Sequence, residues 1–163
     1  MSFEPSKSLK AEVRKLLKHY PKDQKRSAAL MVLHAIQEEH GYVERNAMEW
    51  AASELGLKPI NLYELVTFYP MLREEPTGTY ILKVCRTLSC AMSGSKELHR
   101  HVCEKLKLDP FKHGLQTSAN RKFSVEFAEC LASCGTAPVM MCNDDFYEEV
   151  SHEQANEIME GCK

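Results

Sequence analysis

Two pairs of cysteines constrain the fold of this chain more than any other feature of its sequence. Cys85 and Cys90 lie in "VCRTLSC" with four residues between them, and Cys130 and Cys134 lie in "ECLASCGTAPV" with three. Each pair follows a segment rich in β-branched and aromatic residues, "TYILKV" before the first and "FSVEFA" before the second, which predicts a strand. If these strands are neighbours in one sheet, all four sulfurs reach the same end of it.

The compartment expected for the chain decides how its cysteines are interpreted. The N-terminal segment "MSFEPSKSLK" lacks the apolar core of a signal peptide, so we expect a cytoplasmic protein. Disulfide frameworks are rare in reducing compartments, and the number of cysteines, seven, is odd. Metal or redox chemistry is therefore the leading explanation for the paired thiols.

The spacing within each pair limits the kind of metal centre. Four thiolates suit either structural zinc or an iron–sulfur cluster. Neither pair has the two-residue spacing that is common in zinc knuckles and in redox-active dithiols. The plant-type ferredoxin pattern requires a third cysteine where Ser93 stands, and no histidine accompanies either pair as a Rieske centre would need. Spacing alone favours an all-thiolate [2Fe–2S] cluster over zinc and leaves both open.

The remaining motifs point away from an independent enzyme. Cys103, Cys142 and Cys162 stand singly, and we interpret them as small buried hydrophobes without a role. The glycines form neither a dinucleotide-binding nor a P-loop pattern, so we expect no substrate site in this chain alone. A one-electron centre without a substrate pocket indicates an electron carrier that works with a partner.

Apolar periodicity predicts four short helices in the first half of the chain. Two of them cover about residues 7–19 and 25–40, and Gly41 is expected to end the second. The other two helices are expected to begin at capping-box pairs, Asn46 with Glu49 and Asn61 with Glu64. The segment "REEPTG" at 73–78 follows the fourth helix and is interpreted as a linker or loop.

The second half predicts the order strand, helix, two or three strands, helix. The segments "PVMMC" and "FYEEV" flank "NDD", which suits a hairpin turn. Ser151 and Gln154 are expected to open the last helix.

Several segments of the chain resemble a known family. The segments "TYILKVCRTLSCAMSGSKEL" and "FSVEFAECLASCGTAPVMMCNDDFYEEV" resemble the thioredoxin-like [2Fe–2S] subunit of NADH dehydrogenases, the E-type subunit of NADH:quinone oxidoreductase (complex I). "SAALMVLHAIQEEHGYV" and "LYELVTFYPML" resemble the N-terminal bundle of that family, and the resemblance extends over about residues 8–160. It implies an α/β fold with a helical bundle at 1–72 and a thioredoxin-like domain with a mixed sheet at 73–163.

The resemblance also implies a function. One [2Fe–2S] cluster is expected, with Cys85, Cys90, Cys130 and Cys134 as its ligands. The chain would be a non-catalytic electron-transfer subunit beside a flavin subunit that holds FMN and the NADH site, with an adjacent iron–sulfur subunit as a further partner. The same module serves NAD-linked hydrogenases and formate dehydrogenases, which stay open as alternatives. A zinc-binding interaction module and a thiol oxidoreductase are the other classes.

Charge and hydropathy indicate what else the chain contacts. The net charge of −2 argues against nucleic-acid binding. No apolar run is long enough to span a bilayer, so we expect no direct membrane insertion and, within complex I, a peripheral position on the cytoplasmic side. The first helix carries a basic face that we interpret as part of a docking surface: Lys7, Lys10, Arg14, Lys15, Lys18 and Lys22.

Overall fold

The structure, a computed structural model, describes residues 3–163. The chain forms two compact units, of which the first ends at Pro76 and the second spans Thr77–Lys163. Among the helices described, none is both long and apolar enough to cross a bilayer.

The first unit is a bundle of four α-helices. A single 3₁₀ turn at Lys25–Ala28 precedes the second helix, so the predicted segment 25–40 is helical throughout but begins with tighter winding. The helices are α1 (Lys7–Leu17), α2 (Ala29–His40), α3 (Arg45–Leu55) and α4 (Pro59–Phe68).

Apolar residues at helical spacing form the core of this bundle. Leu9 and Val13 of α1 pack with Val32, Leu33 and Ile36 of α2, and all five are buried. Gly41 and Gly56 end α2 and α3 in the left-handed conformation that glycine adopts without a steric penalty. The predicted end of α2 at Gly41 is therefore confirmed.

The predicted starts of α3 and α4 are wrong, by two and three residues respectively. Glu44 is the N-cap of α3, which leaves Asn46 inside the first turn of the helix. The residue before this cap, Val43, is held in place because it is fully buried and its N–H donates to the Arg73 carbonyl at 2.7 Å. Lys58 is the N-cap of α4 because Pro59 takes the first helical position, for which its fixed φ is suited. Asn61 contributes from the third helical position, where its Oδ1 accepts the Lys58 N–H at 3.3 Å.

The second unit is a mixed five-stranded sheet with helices. Its strand order is β2-β3-β1-β4-β5, with β1 parallel to β3 and the other pairs antiparallel. The predicted mixed sheet and its hairpin are confirmed, whereas the short elements α5 and β2 were not predicted. The elements are β1 (Tyr80–Cys85), α5 (Leu88–Met92), α6 (Ser95–Lys105), β2 (Gln116–Thr117), β3 (Phe123–Ala128), β4 (Met140–Cys142), β5 (Asp145–Tyr147) and α7 (His152–Gly161).

Two helices form the core of this unit with the sheet. Leu98 and Val102 of α6 belong to one buried cluster with Leu82, Val84 and Val125 of the strands. Helix α7 adds Ala155 and Met159 to the same cluster, and its predicted N-cap is confirmed because Ser151 Oγ accepts the Gln154 N–H at 3.2 Å.

Gly78 lies where the chain enters β1 and approaches β3 at close range. Its N–H donates to Ser124 Oγ at 2.7 Å. A Cβ added at this position would lie 2.6 Å from the carbonyl carbon of Phe123, and backbone cannot yield as a flexible side chain does.

We therefore expect Gly78→Ala to lower the free energy of unfolding by about 1–3 kcal/mol, the usual cost of overpacking. Denaturant unfolding of the full chain measures this loss. Gly161→Ala is the matched control, because a Cβ there meets nothing within 4 Å, and it should leave stability unchanged or slightly higher. Equal stabilities of the Gly78→Ala and Gly161→Ala proteins would contradict the prediction.

Candidate metal centre

The pairing of β1 with β3 brings the two cysteine loops to the same end of the sheet. Cys85 is the last residue of β1 and pairs in parallel register with Ala128, the last residue of β3. Cys90 follows within α5, and Cys130 and Cys134 follow β3. The prediction that two neighbouring strands carry the cysteine pairs to the same end of the sheet is confirmed.

The two loops differ in how deeply their thiols lie. Cys85 and Cys90 are each 1% exposed and form a small apolar cluster with Val139. Cys130 and Cys134 are exposed. The site therefore has a buried side from the first loop and an open side from the second.

Polar contacts connect the first loop to the second. Ser89 Oγ donates to the Cys134 carbonyl at 2.7 Å, and the Arg86 N–H donates to the Ala128 carbonyl at 3.0 Å. The Arg86 guanidinium also makes a two-point ion pair with the carboxylate of Glu129. Because Glu129 is largely exposed, we assign more of the connection to the Ser89 bond than to the ion pair.

Hydrogen-bond donors near the sulfurs favour the thiolate form of one thiol of the first pair. Burial raises the pKa of Cys85, but hydrogen bonds from the Thr87 side chain and backbone and from the Leu131 backbone outweigh it, so that the pKa is lowered overall. Burial and the neighbouring Cys85 raise the pKa of Cys90. Of the two thiols, Cys85 is therefore the one that loses its proton more readily.

A carboxylate braces the second loop. Glu148 Oε1 accepts hydrogen bonds from Ser133 Oγ at 2.7 Å and from Thr136 Oγ1 at 2.6 Å, and the Glu149 N–H donates to the Thr136 carbonyl at 2.8 Å. The two hydroxyl bonds hold the pKa of the Glu148 carboxyl below its usual value. Glu148 therefore fixes the turn that carries Cys134 from outside the loop.

The donor set suits a two-iron centre. Within residues 3–163, no three His, Cys, Asp or Glu side chains are grouped closely enough to hold a single metal ion. A [2Fe–2S] cluster makes a different demand, because each of its two irons takes two cysteine thiolates. Two thiol pairs on connected loops, with N–H groups directed at sulfur, fit that demand; one such bond joins the Ala132 N–H to Cys130 Sγ at 3.3 Å.

Comparison with known proteins identifies the family. A family model described as thioredoxin-like [2Fe-2S] ferredoxin matches residues 13–163. The chain belongs to this family. The cofactor inferred from the sequence resemblance, one [2Fe–2S] cluster, agrees with the family's description.

Curated relatives carry the names of complex subunits. The E-type subunit of the NADH-quinone oxidoreductase of Rickettsia typhi is 36% identical over 146 residues, which cover 89% of this chain and 84% of the relative. "NADH-quinone oxidoreductase subunit 2" of Thermus thermophilus is 36% identical over 130 residues, which cover 80% of this chain and 70% of the relative. These relatives are parts of an oxidoreductase, as the sequence resemblance predicts.

The fold recurs in a solved hydrogenase. An air-oxidised NAD⁺-reducing [NiFe]-hydrogenase matches with a TM-score of 0.69 at 17% identity, over 86% of this chain. The match spans only 24% of the hydrogenase chain, and at this identity it concerns the fold alone.

Sequence reasoning missed the residues that support the loops. No local sequence pattern predicts the contacts of Thr87, Ser89 and Glu148. The hydroxyls that Glu148 binds belong to residues 12 and 15 positions earlier in the chain. The donors to sulfur lie at Thr87, Leu131, Ala132 and Val139.

We expect Glu148→Ala to loosen the Cys134 loop, because both hydroxyls lose their acceptor. The cluster-loaded protein should then lose its visible absorbance to an iron chelator several-fold faster than the unaltered protein. Glu149→Ala is the control, since the Glu149 contact with this loop is made by its backbone N–H. Equal rates of bleaching for the two variants would show that the brace is unimportant.

Proposed function

We propose that this chain is the electron-transfer subunit of an NADH:quinone oxidoreductase, the counterpart of the E-type subunit, and that it holds one [2Fe–2S] cluster. The observation that carries the proposal is that the two loops bearing the cysteine pairs begin side by side, at the ends of the parallel strands β1 and β3. Family membership and the names of the relatives support it. The proposed ligands are Cys85, Cys90, Cys130 and Cys134.

The two cysteine pairs would have different roles in such a site. When bound, a [2Fe–2S] cluster accepts and donates single electrons. The buried thiols of Cys85 and Cys90 would keep water from one side, and N–H groups from Thr87 and Leu131 would stabilise negative charge on sulfur. The exposed thiols of Cys130 and Cys134 leave the other side open to a partner's redox centre.

A flavin subunit is the partner that this role requires. NADH delivers a hydride, which carries two electrons, so a flavin must separate the pair before a one-electron centre takes part. The chain has no glycine-rich nucleotide motif of its own. We therefore assign FMN and the NADH site to a neighbouring subunit, and expect an adjacent iron–sulfur subunit and a peripheral, cytoplasmic position.

The names of the curated relatives favour the quinone-linked complex over an NAD-linked hydrogenase or formate dehydrogenase. The hydrogenase likeness carries no weight here, because it is a likeness of fold at low identity.

Replacing any one proposed ligand by alanine should prevent stable assembly of the cluster, because the site would lose one of four thiolates. Iron and acid-labile sulfide analysis, visible absorbance and the EPR spectrum after dithionite reduction measure the result. Cys103→Ser is the matched control, because Cys103 is buried in α6 and belongs to a different apolar cluster from Cys85 and Cys90, and its spectra should be unchanged. An unaltered EPR signal in the Cys134→Ala protein would remove this ligand set, and stoichiometric zinc without sulfide would favour the interaction module.

We further propose that the helical unit docks on the flavin subunit. Helix α4 leaves Ile60 62% and Phe68 76% exposed. Ile60 and Tyr63 also line a cleft of about 550 Å³ together with Val43 and Met48. Exposed apolar groups of this size supply affinity when they are buried against a partner, and the exposed basic face of α1 would steer the approach.

The double change Ile60→Ser with Tyr63→Ser should weaken binding of the full chain to the flavin subunit by roughly tenfold or more, as expected when interface anchors are removed. Binding is measured with both subunits purified, and the cluster spectrum serves as the check on folding. Phe111→Ser is the control, because Phe111 is 77% exposed but lies in the other unit. If the double variant binds as tightly as the unaltered chain, this docking surface is wrong.

A further inference from the structure

A second pair of thiols lies outside the metal centre. Cys142 in β4 and Cys162 just after α7 are free thiols, and their sulfur atoms are 3.8 Å apart. Both side chains are buried. The two residues are 20 positions apart in the chain, so no local spacing predicts the contact.

The hydrogen bonds around the pair allow Cys142 to donate its S–H to the sulfur of Cys162. Cys162 Sγ donates to the Ile158 carbonyl at 3.2 Å. Because a thiol has one hydrogen, the Cys162 sulfur is left to accept the S–H of Cys142. The end of the chain is also held in place, since the Cys162 carbonyl accepts from Lys122 Nζ at 2.7 Å and the Lys163 carbonyl accepts from the Tyr80 hydroxyl at 2.9 Å.

A cleft gives solutes a route to these thiols. It has a volume of about 480 Å³, and its wall includes both Cys142 and Cys162 together with Asp145, Tyr147 and Glu157. This volume lies within the range of pockets that accept small molecules. Cys103 differs, because it is buried in α6 and its sulfur contacts the ring of His99 at 3.7 Å rather than another thiol.

We propose that Cys142 and Cys162 are a redox-active dithiol that closes to an intramolecular disulfide by exchange with a low-molecular-weight disulfide such as glutathione disulfide. The Cys162 thiolate attacks one sulfur of glutathione disulfide and releases one glutathione thiolate. The Cys142 thiolate then attacks Cys162 in the mixed disulfide and releases the second. Two electrons pass from the protein sulfurs to glutathione disulfide, and the two thiol protons end on the two glutathione molecules.

The surroundings of Cys142 determine the order and the speed of these steps. Burial, followed by the hydrogen bond with Cys162, raises the pKa of Cys142 to about 12. Cys162 is slightly more exposed than Cys142, at 9% against 5%, so it is the first nucleophile. Closure needs the Cys142 thiolate and is therefore slow near neutral pH and faster in alkali.

The disulfide would close a loop that contains β5 and α7. It would attach the C-terminal end of α7 to β4 and restrict the unfolded chain. We expect the unfolding midpoint of the second unit to rise by roughly 5–10 °C on oxidation and to return on reduction.

The test uses the full chain, with its cluster loaded, in mixtures of reduced and oxidised glutathione at about pH 7 and about pH 9. Alkylation after an acid quench, intact mass and peptide mapping should reveal the loss of two hydrogen atoms and one linked peptide pair that joins Cys142 to Cys162. The cluster spectrum should be unchanged, and Cys103→Ser should behave as the unaltered chain. Peptide mapping keeps this result separate from the ligand proposal, because it reports on each cysteine individually.

Two single variants make the inference falsifiable. Cys142→Ala should stop at a mixed disulfide on Cys162, and Cys162→Ala should react at least tenfold more slowly, because Cys142 is left as the only nucleophile of the pair. If Cys142 and Cys162 both remain fully alkylatable at every glutathione ratio and at both pH values, the proposal is wrong. A protein disulfide formed in the same yield by either single variant would also overturn it, since it would identify another partner.

Discussion

The parallel pairing of β1 with β3 is the constraint on which the metal centre depends. It ends both strands at the same level, with Cys85 opposite Ala128, so that the two loops begin side by side. A slip of one residue would turn Cys85 to the opposite face of the sheet. Parallel neighbours also need a long crossover, and here the crossover contains α5, which holds Cys90 beside Cys85. The connection that makes the sheet therefore also completes the first thiol pair.

The two loops reach a fixed geometry by different physical means. The first is held by burial, because Cys85 and Cys90 pack with Val139 in a small apolar cluster. The second exposes its thiols and packs only Leu131 and Ala137 against that cluster, so polar contacts add to its support, chiefly the bonds of Glu148 to the hydroxyls of Ser133 and Thr136. The second loop is therefore both accessible to a partner and held in a fixed conformation, which suits a centre that must exchange electrons with another protein.

The sequence predicts the parts of this structure that carry strong local signals. The β-branched and aromatic residues of two short segments predicted β1 and β3, and the cysteine pairs that follow these segments predicted the site. Helix α5 was missed because five residues are too few for a helical period, and β2 because two residues make no strand pattern. The starts of α3 and α4 were misplaced because Val43 and Pro59 decide them rather than the two asparagines. Contacts between distant positions, such as Ser89 with Cys134, follow only from the assembled sheet.

The second unit thus holds two sets of paired thiols whose surroundings favour different chemistry. Metal binding requires thiolates, and the donors around Cys85 lower its pKa and so favour the charged form. Around Cys142 burial has the opposite effect, with a pKa of about 12, so a metal ion would have to displace a tightly held proton there. The same proton slows disulfide exchange, which confines a Cys142–Cys162 disulfide to slow changes in the redox state of the surroundings. Because α7 and β4 belong to one buried cluster with β1, such a bond would act on the stability of the domain that presents the metal centre, while leaving the proposed ligands themselves unaltered.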